Sequence, residues 1–169
     1  VIFCCDTALP ALVDQDITPD FIVSVDPQLY SSNHFVRYTD CTATLIFTPT
    51  SASSVVQAYR GPKSVLLQKD HSITRHFENA LGFKGITTAG SSVSCMGLDV
   101  VFQMGCDPVI FVGMDYCFSG GKIYSSRVAE TKKWFKLVSR MKTMESMHWK
   151  TIHKTKTITI KNKYEEDIA

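Results

Sequence analysis

The feature that most constrains this chain is a series of short apolar segments without polar alternation. Each is rich in β-branched and aromatic side chains. The segments are residues 1–5, 21–25, 44–47, 64–67 and 109–113. Strands that are buried on both faces of a parallel sheet have this composition, whereas half-buried strands alternate polar and apolar residues. The pattern therefore predicts a mainly parallel sheet.

Segments with helical spacing lie between these runs. Residues 8–16 and 73–81 each place apolar side chains on one helical face. The clearest helix spans 92–104, where Ser92 is a suitable N-cap and Gly105 a suitable stop signal. Strands that alternate with such helices are typical of βαβ units. We expect an α/β fold, a Rossmann-like, doubly wound, mainly parallel sheet with helices on both faces.

The length of 169 residues predicts a single Rossmann-like domain over 1–169. Because the first residues already form an apolar run, we expect this domain to be a fragment of a longer protein. Residues 127–156 hold many of the basic residues and a stripe of aromatic and methionine side chains. That stripe predicts an amphipathic helix packed on the sheet, or a helical lid or insertion.

Composition and charge narrow the class of protein. A net charge of +2 does not suggest a nucleic-acid surface. The apolar runs are far shorter than the roughly 20 residues of a membrane span, and no basic leader marks a signal peptide. The six cysteines include no C-x-x-C pair, so we expect reduced thiols rather than a zinc site. That use of cysteine suits a cytoplasmic location.

Polar residues follow the first two predicted strands, where ligands of open parallel sheets bind. Asp6 and Thr7 follow the first strand, and Asp26, Pro27 and Gln28 follow the second. Two neighbouring aspartates could hold a ribose diol, or share a magnesium ion with a substrate phosphate. Each could instead cap the helix that follows, because Asp is a favoured N-cap residue.

A third candidate is the small turn Gly90-Ser91-Ser92, which opens the predicted helix at 92–104. The free N–H groups and the dipole of a helix N-terminus favour phosphate or carboxylate. The turn matches neither the Walker A pattern nor G-x-G-x-x-G. Serine-capped helices are also common without any ligand, so both interpretations stay open.

The fourth candidate follows the apolar run at 109–113. There Asp115 and Tyr116 would stand at the end of a central strand, with Gly113 leaving room for a ligand. Lys122 lies in the next loop, which contains two glycines and could close over a bound phosphate. An exposed lysine without a ligand is the commoner situation for such a loop.

Candidates for proton transfer are sought among the histidines. None of the five histidines has metal-site spacing or forms a visible dyad with Ser or Cys. His148 and His153 fall in the basic segment and would supply a general base if it folds over the site. The candidate catalytic residues are therefore Asp115, His148 and His153.

Four motifs, in order, carry a resemblance to a known family. They are VIFCCDTAL at 1–9, ITPDFIVSVDPQ at 17–28, AGSSV at 89–93 and IFVGMD at 110–115. The chain resembles the DUF115, or MptE-like, family, which groups motility accessory factors of flagellated bacteria with archaeal 6-hydroxymethylpterin diphosphokinases. The resemblance covers about residues 1–124 and implies a Rossmann-like fold. It also implies a preceding Gly-Pro-Ser-Leu type phosphate turn, which this sequence lacks.

The motility factors are in turn similar to bacterial sialyltransferases. The resemblance implies transfer of a nonulosonic (sialic-like) acid from a CMP-sugar to Ser or Thr of flagellin. Asp6 and Asp26 would then hold the nucleotide, the turn at 90–92 the phosphate and sugar carboxylate, and Asp115 and Tyr116 would close the pocket. The sialyltransferases have Asn at the positions of Asp6 and Asp26, and their catalytic histidine has no match here.

The diphosphokinases imply a different chemistry. Pro19-Asp20 through Asp26 is similar to their acidic run, whose carboxylates bind magnesium and ATP for in-line transfer of a diphosphate. The sequence favours the glycosyltransferase, with the diphosphokinase as the alternative. A third hypothesis is a non-catalytic Rossmann scaffold or binding module. No tightly bound cofactor is expected, apart from Mg²⁺ in the diphosphokinase, where Asp6 and Asp26 would be its ligands.

Overall fold

The structure is a computed structural model. It describes residues 1–69, 72–82, 85–88, 92–114, 116–118, 120–123, 128–154, 156–161, 164 and 167–168. The chain divides into two compact units, Val1–Val109 and Ile110–Ala169.

The first unit is built on a four-stranded parallel sheet. Its strands are β1 (Phe3–Cys5), β2 (Phe21–Ser24), β3 (Thr44–Phe47) and β4 (Lys63–Val65), in the order β1-β2-β3-β4. Cys4 pairs with Ile22, and Ile22 pairs with Leu45. Four of the predicted apolar runs contain or overlap these strands, so the α/β, Rossmann-like, mainly parallel fold is confirmed.

Four helices and a second, smaller parallel pair of strands complete this unit. The helices are α1 (Leu9–Val13), α2 (Ser53–Ala58), α3 (Ser72–Leu81) and α4 (Val93–Gln103), and the paired strands are β5 (Leu67–Gln68) and β6 (Ile86–Thr87). The predicted helix at 92–104 is confirmed as α4. Ser92 precedes it in an extended conformation, and Gly105 follows at φ +74°, where glycine is favoured.

The core explains why the strands lack polar alternation. Successive side chains of a strand point to opposite faces of the sheet. On one face, Cys4, Ile22 and Leu45 pack with side chains from α1 and α2. On the other face, Val23 and Ile46 pack with side chains from α4. Because both faces are covered by helices, both sets of side chains must be apolar.

The apolar run at 109–113 does not form a strand, so that prediction is wrong. Within it, Ile110 is 83% exposed and Val112 is 88% exposed. Gly113 has φ +68°, which interrupts an extended backbone. A strand needs a partner for its backbone hydrogen bonds, and the described residues provide none for this run. An apolar composition was therefore insufficient to make it a strand.

In its described residues, the second unit contains two short helices and one antiparallel pair of strands. They are α5 (Ala129–Phe135), α6 (Met144–Ile152) and the antiparallel strands β7 (Ile160–Lys161) and β8 (Asp167–Ile168). The predicted single stripe over 127–156 is instead split between α5 and α6, which contact each other. Leu137, Val138 and Met141 lie exposed in the connection between them. None of the described helices combines the length and the hydropathy needed to span a bilayer.

Candidate functional site

Asp6 joins the carboxyl ends of β1 and β2. It follows β1 directly, begins a short 3-10 helix (Asp6–Ala8) and is only 2% exposed. Its Oδ2 accepts a hydrogen bond from the Oγ of Ser24, the last residue of β2, at 2.8 Å. Its Oδ1 accepts one from the backbone N–H of Thr7, also at 2.8 Å. Asp6 is therefore a buried carboxyl group that links two strand ends, rather than an N-cap.

The electrostatic environment of Asp6 is unusual for an aspartate. Burial raises the pKa of Asp6 above its ordinary value, and this effect outweighs the others. The Ser24 hydrogen bond, the electrostatic interaction with His34 and the Thr7 N–H lower the pKa of Asp6, while the charge of Asp26 raises it. Carboxyl groups with raised pKa values occur often at functional sites, because ionisable groups at such sites are often buried.

Asp26 is the more accessible of the two acids. It is half-buried, and its Oδ1 accepts a hydrogen bond from the backbone N–H of Gln28 at 2.8 Å, across the exposed Pro27. Its carbonyl oxygen accepts one from the N–H of Ala52 at 3.0 Å, which ties this turn to the start of α2. Asp6 and Asp26 are close enough for their charges to interact. The structure thus brings these two predicted residues together.

His34 belongs to the same cluster, although it was not predicted. It ends a second 3-10 helix (Leu29–His34) that contacts the first one, and it is 4% exposed. Because His34 is far from Asp6 in the sequence, no short motif contains both residues. Its position depends on how the two 3-10 helices pack above the strand ends.

Hydroxyl groups at the end of β3 extend the cluster, and they were also missed. Ser51 donates from Oγ to the carbonyl oxygen of Ser24 at 2.8 Å and accepts from the N–H of Thr48 at 2.9 Å. An open cavity of about 180 Å³ lies beside Thr48 and Ser51. The rule that singled out Asp6, a polar residue directly after a buried strand, would have found Thr48 as well.

The turn before α4 is only partly described. Gly90 and Ser91 lie outside the described residues. Ser92 is half-buried, and its Oγ hydrogen-bonds to the Oγ of Ser94 at 2.8 Å. On the preceding side, Thr87 Oγ1 and the Thr88 N–H both donate to Asp99 of α4, at 2.5 and 3.2 Å. Asp99 therefore anchors the end of β6 to the helix that the turn opens.

The remaining predicted residues belong to the second unit. Asp115 lies outside the described residues, and the predicted strand before Tyr116 is absent. Tyr116 is 68% exposed with φ +51°, and Lys122 is exposed. His148 is 6% exposed and accepts a hydrogen bond from a backbone N–H of the loop at 120–123. His153 stacks on Trp149 with ring centroids 3.8 Å apart.

The acids at the sheet edge suit one kind of cation site. In the described part of the chain, no three His, Cys, Asp or Glu residues are grouped to enclose a metal ion. Magnesium, however, is usually held by one or two carboxylates together with substrate phosphates and water. Both carboxylate oxygens of the buried Asp6 already accept hydrogen bonds, so the half-buried Asp26 would be the carboxylate to hold such an ion.

Comparison with known proteins agrees with the motifs. The family model described as 6-hydroxymethylpterin diphosphokinase MptE-like matches residues 1–121. That segment contains the whole sheet, the cluster at its carboxyl edge and α4. No curated protein and no solved structure matches the chain. The match spans more than half of the 169 residues and confirms the predicted resemblance. The chain belongs to the 6-hydroxymethylpterin diphosphokinase MptE-like family, a family of the kinase and transferase type.

Proposed function

We propose that this domain is a transferase that takes its donor as a nucleotide derivative, bound over the carboxyl ends of β1 and β2. The observation that carries the proposal is the cluster of Asp6, Asp26 and His34 at one sheet edge. Ligands of open parallel sheets bind at this edge. The family match covers the same residues and supports a transferase of this kind.

Two neighbouring carboxylates favour transfer of a diphosphate from ATP. Bound Mg²⁺ would neutralise the charge that develops on the donor phosphates. Asp26, which is partly exposed, would be the carboxylate that reaches the donor. Asp6 would position the end of β2 through Ser24 and add negative charge at the same place. A hydroxymethylpterin is the acceptor that the family description suggests.

Transfer of a nonulosonic acid from a CMP-sugar to flagellin is the second candidate. It is favoured by α4, which begins directly after Ser92, the last residue of the turn that the resemblance assigns to the phosphate and the sugar carboxylate. A helix N-terminus attracts the carboxylate of such a sugar. Under this proposal Asp6 and Asp26 would bind the nucleotide itself. A non-catalytic scaffold remains the third candidate.

Ligand-induced thermal stabilisation of the full-length protein separates these candidates. The ligands to compare are ATP with Mg²⁺, ATP with EDTA, hydroxymethylpterin, CMP and a CMP-nonulosonic acid. A ligand at 100 times its Kd stabilises by about 2.7 kcal/mol. We expect the largest shift with ATP and Mg²⁺. A shift with CMP compounds alone would favour the sugar transferase, and no shift with any ligand would favour the scaffold.

Site variants show whether the stabilising ligand binds at the proposed edge. Asp26→Asn keeps the acceptor for the Gln28 N–H but removes the charge, so the shift with ATP and Mg²⁺ should be lost. Asp40→Asn is the matched control, since its carboxylate is exposed in an ion pair with Arg60. Ser91→Ala and Asp115→Ala extend the test to the other predicted residues. Unchanged ligand stabilisation in Asp26→Asn would reject this edge as the site.

A further inference from the structure

One hydrogen bond connects the loop that carries Lys122 to α6. The backbone N–H of Ile123, the next residue, donates to Nδ1 of His148 at 3.2 Å. His148 is buried, and its ring meets the ring of Trp134 edge-on at a centroid distance of 5.1 Å. The helix under it has a fixed start, because Thr143 Oγ1 accepts the Ser146 N–H. The loop is thus held by an acceptor with a fixed position.

This hydrogen bond indicates which ring nitrogen of His148 lacks a proton. A backbone N–H can only donate, so Nδ1 must lack a proton and a neutral ring carries its proton on Nε2. A second proton would make both ring nitrogens donors. The N–H of Ile123 would then face an N–H of the ring, and the hydrogen bond would be lost.

We propose that neutral His148 is a positioning residue that holds the loop at 120–123, and with it Lys122, and that protonation of His148 releases the loop. The loop contains Gly120 at φ +58° and Gly121 at φ +67°. Glycine has many accessible backbone conformations, so the loop has alternatives once the bond is broken.

Two neighbours of His148 are described on the helices next to it. On α6, the exposed carboxylate of Glu145 is close enough to His148 for their charges to interact. On α5, the contact is the uncharged indole of Trp134. The bond is present when the imidazole is neutral, and it is lost as the pH falls and the ring becomes protonated.

Amide hydrogen exchange by NMR, without any ligand, tests the positioning role. At about pH 8 and about pH 5, which bracket the usual titration of histidine, the protection factor of the Ile123 amide should differ. We expect it to be roughly two- to tenfold lower in acid, as for the loss of one hydrogen bond. The ¹⁵N shifts of His148 at pH 8 should show a proton on Nε2. Equal protection at both pH values, or a proton on Nδ1 at pH 8, would overturn the proposal.

Three variants separate the hydrogen bond from mere packing. His148→Phe keeps a ring against Trp134 but has no acceptor, so Ile123 should be weakly protected at both pH values. His148→Asn places an oxygen near the position of Nδ1 and should restore protection without the pH dependence. His153→Phe, at the C-cap of the same helix, should behave as the wild type. Protection in His148→Phe equal to that of the wild type at pH 8 would refute the role of the ring nitrogen.

Donor binding is measured separately, so that the two proposals can fail independently. Both proposals are supported if Asp26→Asn loses ligand binding and the Ile123 amide shows the expected difference in protection between the two pH values. If the Ile123 amide shows that difference but no ligand binds, the proposed function is rejected. The positioning role of His148 then still stands.

Discussion

Removal of the Ser24 hydroxyl tests the electrostatics of the strand-end cluster. Ser24 is 1% exposed, and its Oγ–H donates to Asp6 at 2.8 Å. Ser24→Ala deletes this donor and leaves in place the backbone carbonyl that accepts from Ser51. A hydrogen bond to a charged group contributes about 1.5–3 kcal/mol, and a neutral one about 0.5–1.5 kcal/mol. The loss of stability therefore depends on whether Asp6 is ionised.

The sign of the pH dependence follows from the raised pKa of Asp6. The folded state holds this proton more tightly than the unfolded state does, so the contribution of Asp6 to stability is fully present below the unfolded pKa. That contribution is lost as the pH rises through the folded pKa. The Ser24 hydrogen bond lowers the pKa of Asp6, and its removal raises that pKa further. Ser24→Ala should thus destabilise little in acid and more once Asp6 ionises.

Urea unfolding between about pH 4 and pH 8 measures this difference. At pH values where Asp6 is ionised we expect Ser24→Ala to lose about 1.5–3 kcal/mol of unfolding free energy. Ser53→Ala, at an exposed serine of α2, is the control and should change stability by less than about 0.5 kcal/mol. In the Asp6→Asn background the loss should shrink and become independent of pH. An equal loss at every pH, in both backgrounds, would refute the reasoning.

Two other predictions concern packing and thiol chemistry. A Cβ at Gly61 would lie 2.5 Å from the carbonyl oxygen of Cys41, so Gly61→Ala should lower the urea midpoint. Gly85→Ala, whose Cβ would meet nothing nearer than 3.8 Å, should lower it much less, and equal effects would contradict the steric argument. Burial raises the pKa of the Cys5 thiol to about 11, whereas Cys95 is exposed. Iodoacetamide at about pH 8 should therefore label Cys95 first by mass spectrometry, since the thiolate is the nucleophile, and faster labelling of Cys5 would contradict its burial.

Part of the candidate site was predictable because chain order alone places it. Asp6 and Asp26 each follow a buried run, and parallel neighbouring strands bring their carboxyl ends to one edge of the sheet. Ser24 and His34 were missed for different reasons. Ser24 lies inside the apolar run and shows its role only through the partner it meets. His34 depends on the packing of two 3-10 helices, which have no strong sequence pattern.

The limits of pattern reasoning are clearest at 109–113. This run matches the strands in composition, yet Ile110 and Val112 are exposed. Strand formation requires a partner strand as well as suitable side chains, and partner choice is not encoded in a local segment. The stripe over 127–156 shows the same limit. Trp134 and Met147 do lie in helices, but the connection between α5 and α6 leaves other apolar residues exposed.

The sequence by itself determined that this protein is an α/β domain with a parallel sheet, because unbroken apolar runs between helical segments can be buried in few other ways. Its ordered motifs also determined the family. Only the tertiary structure decided that Asp6 is buried against Ser24 beside His34, and that His148 is bonded to a loop backbone. These contacts join residues far apart in the chain, and the protonation of each group depends on the burial and the partners that the fold supplies.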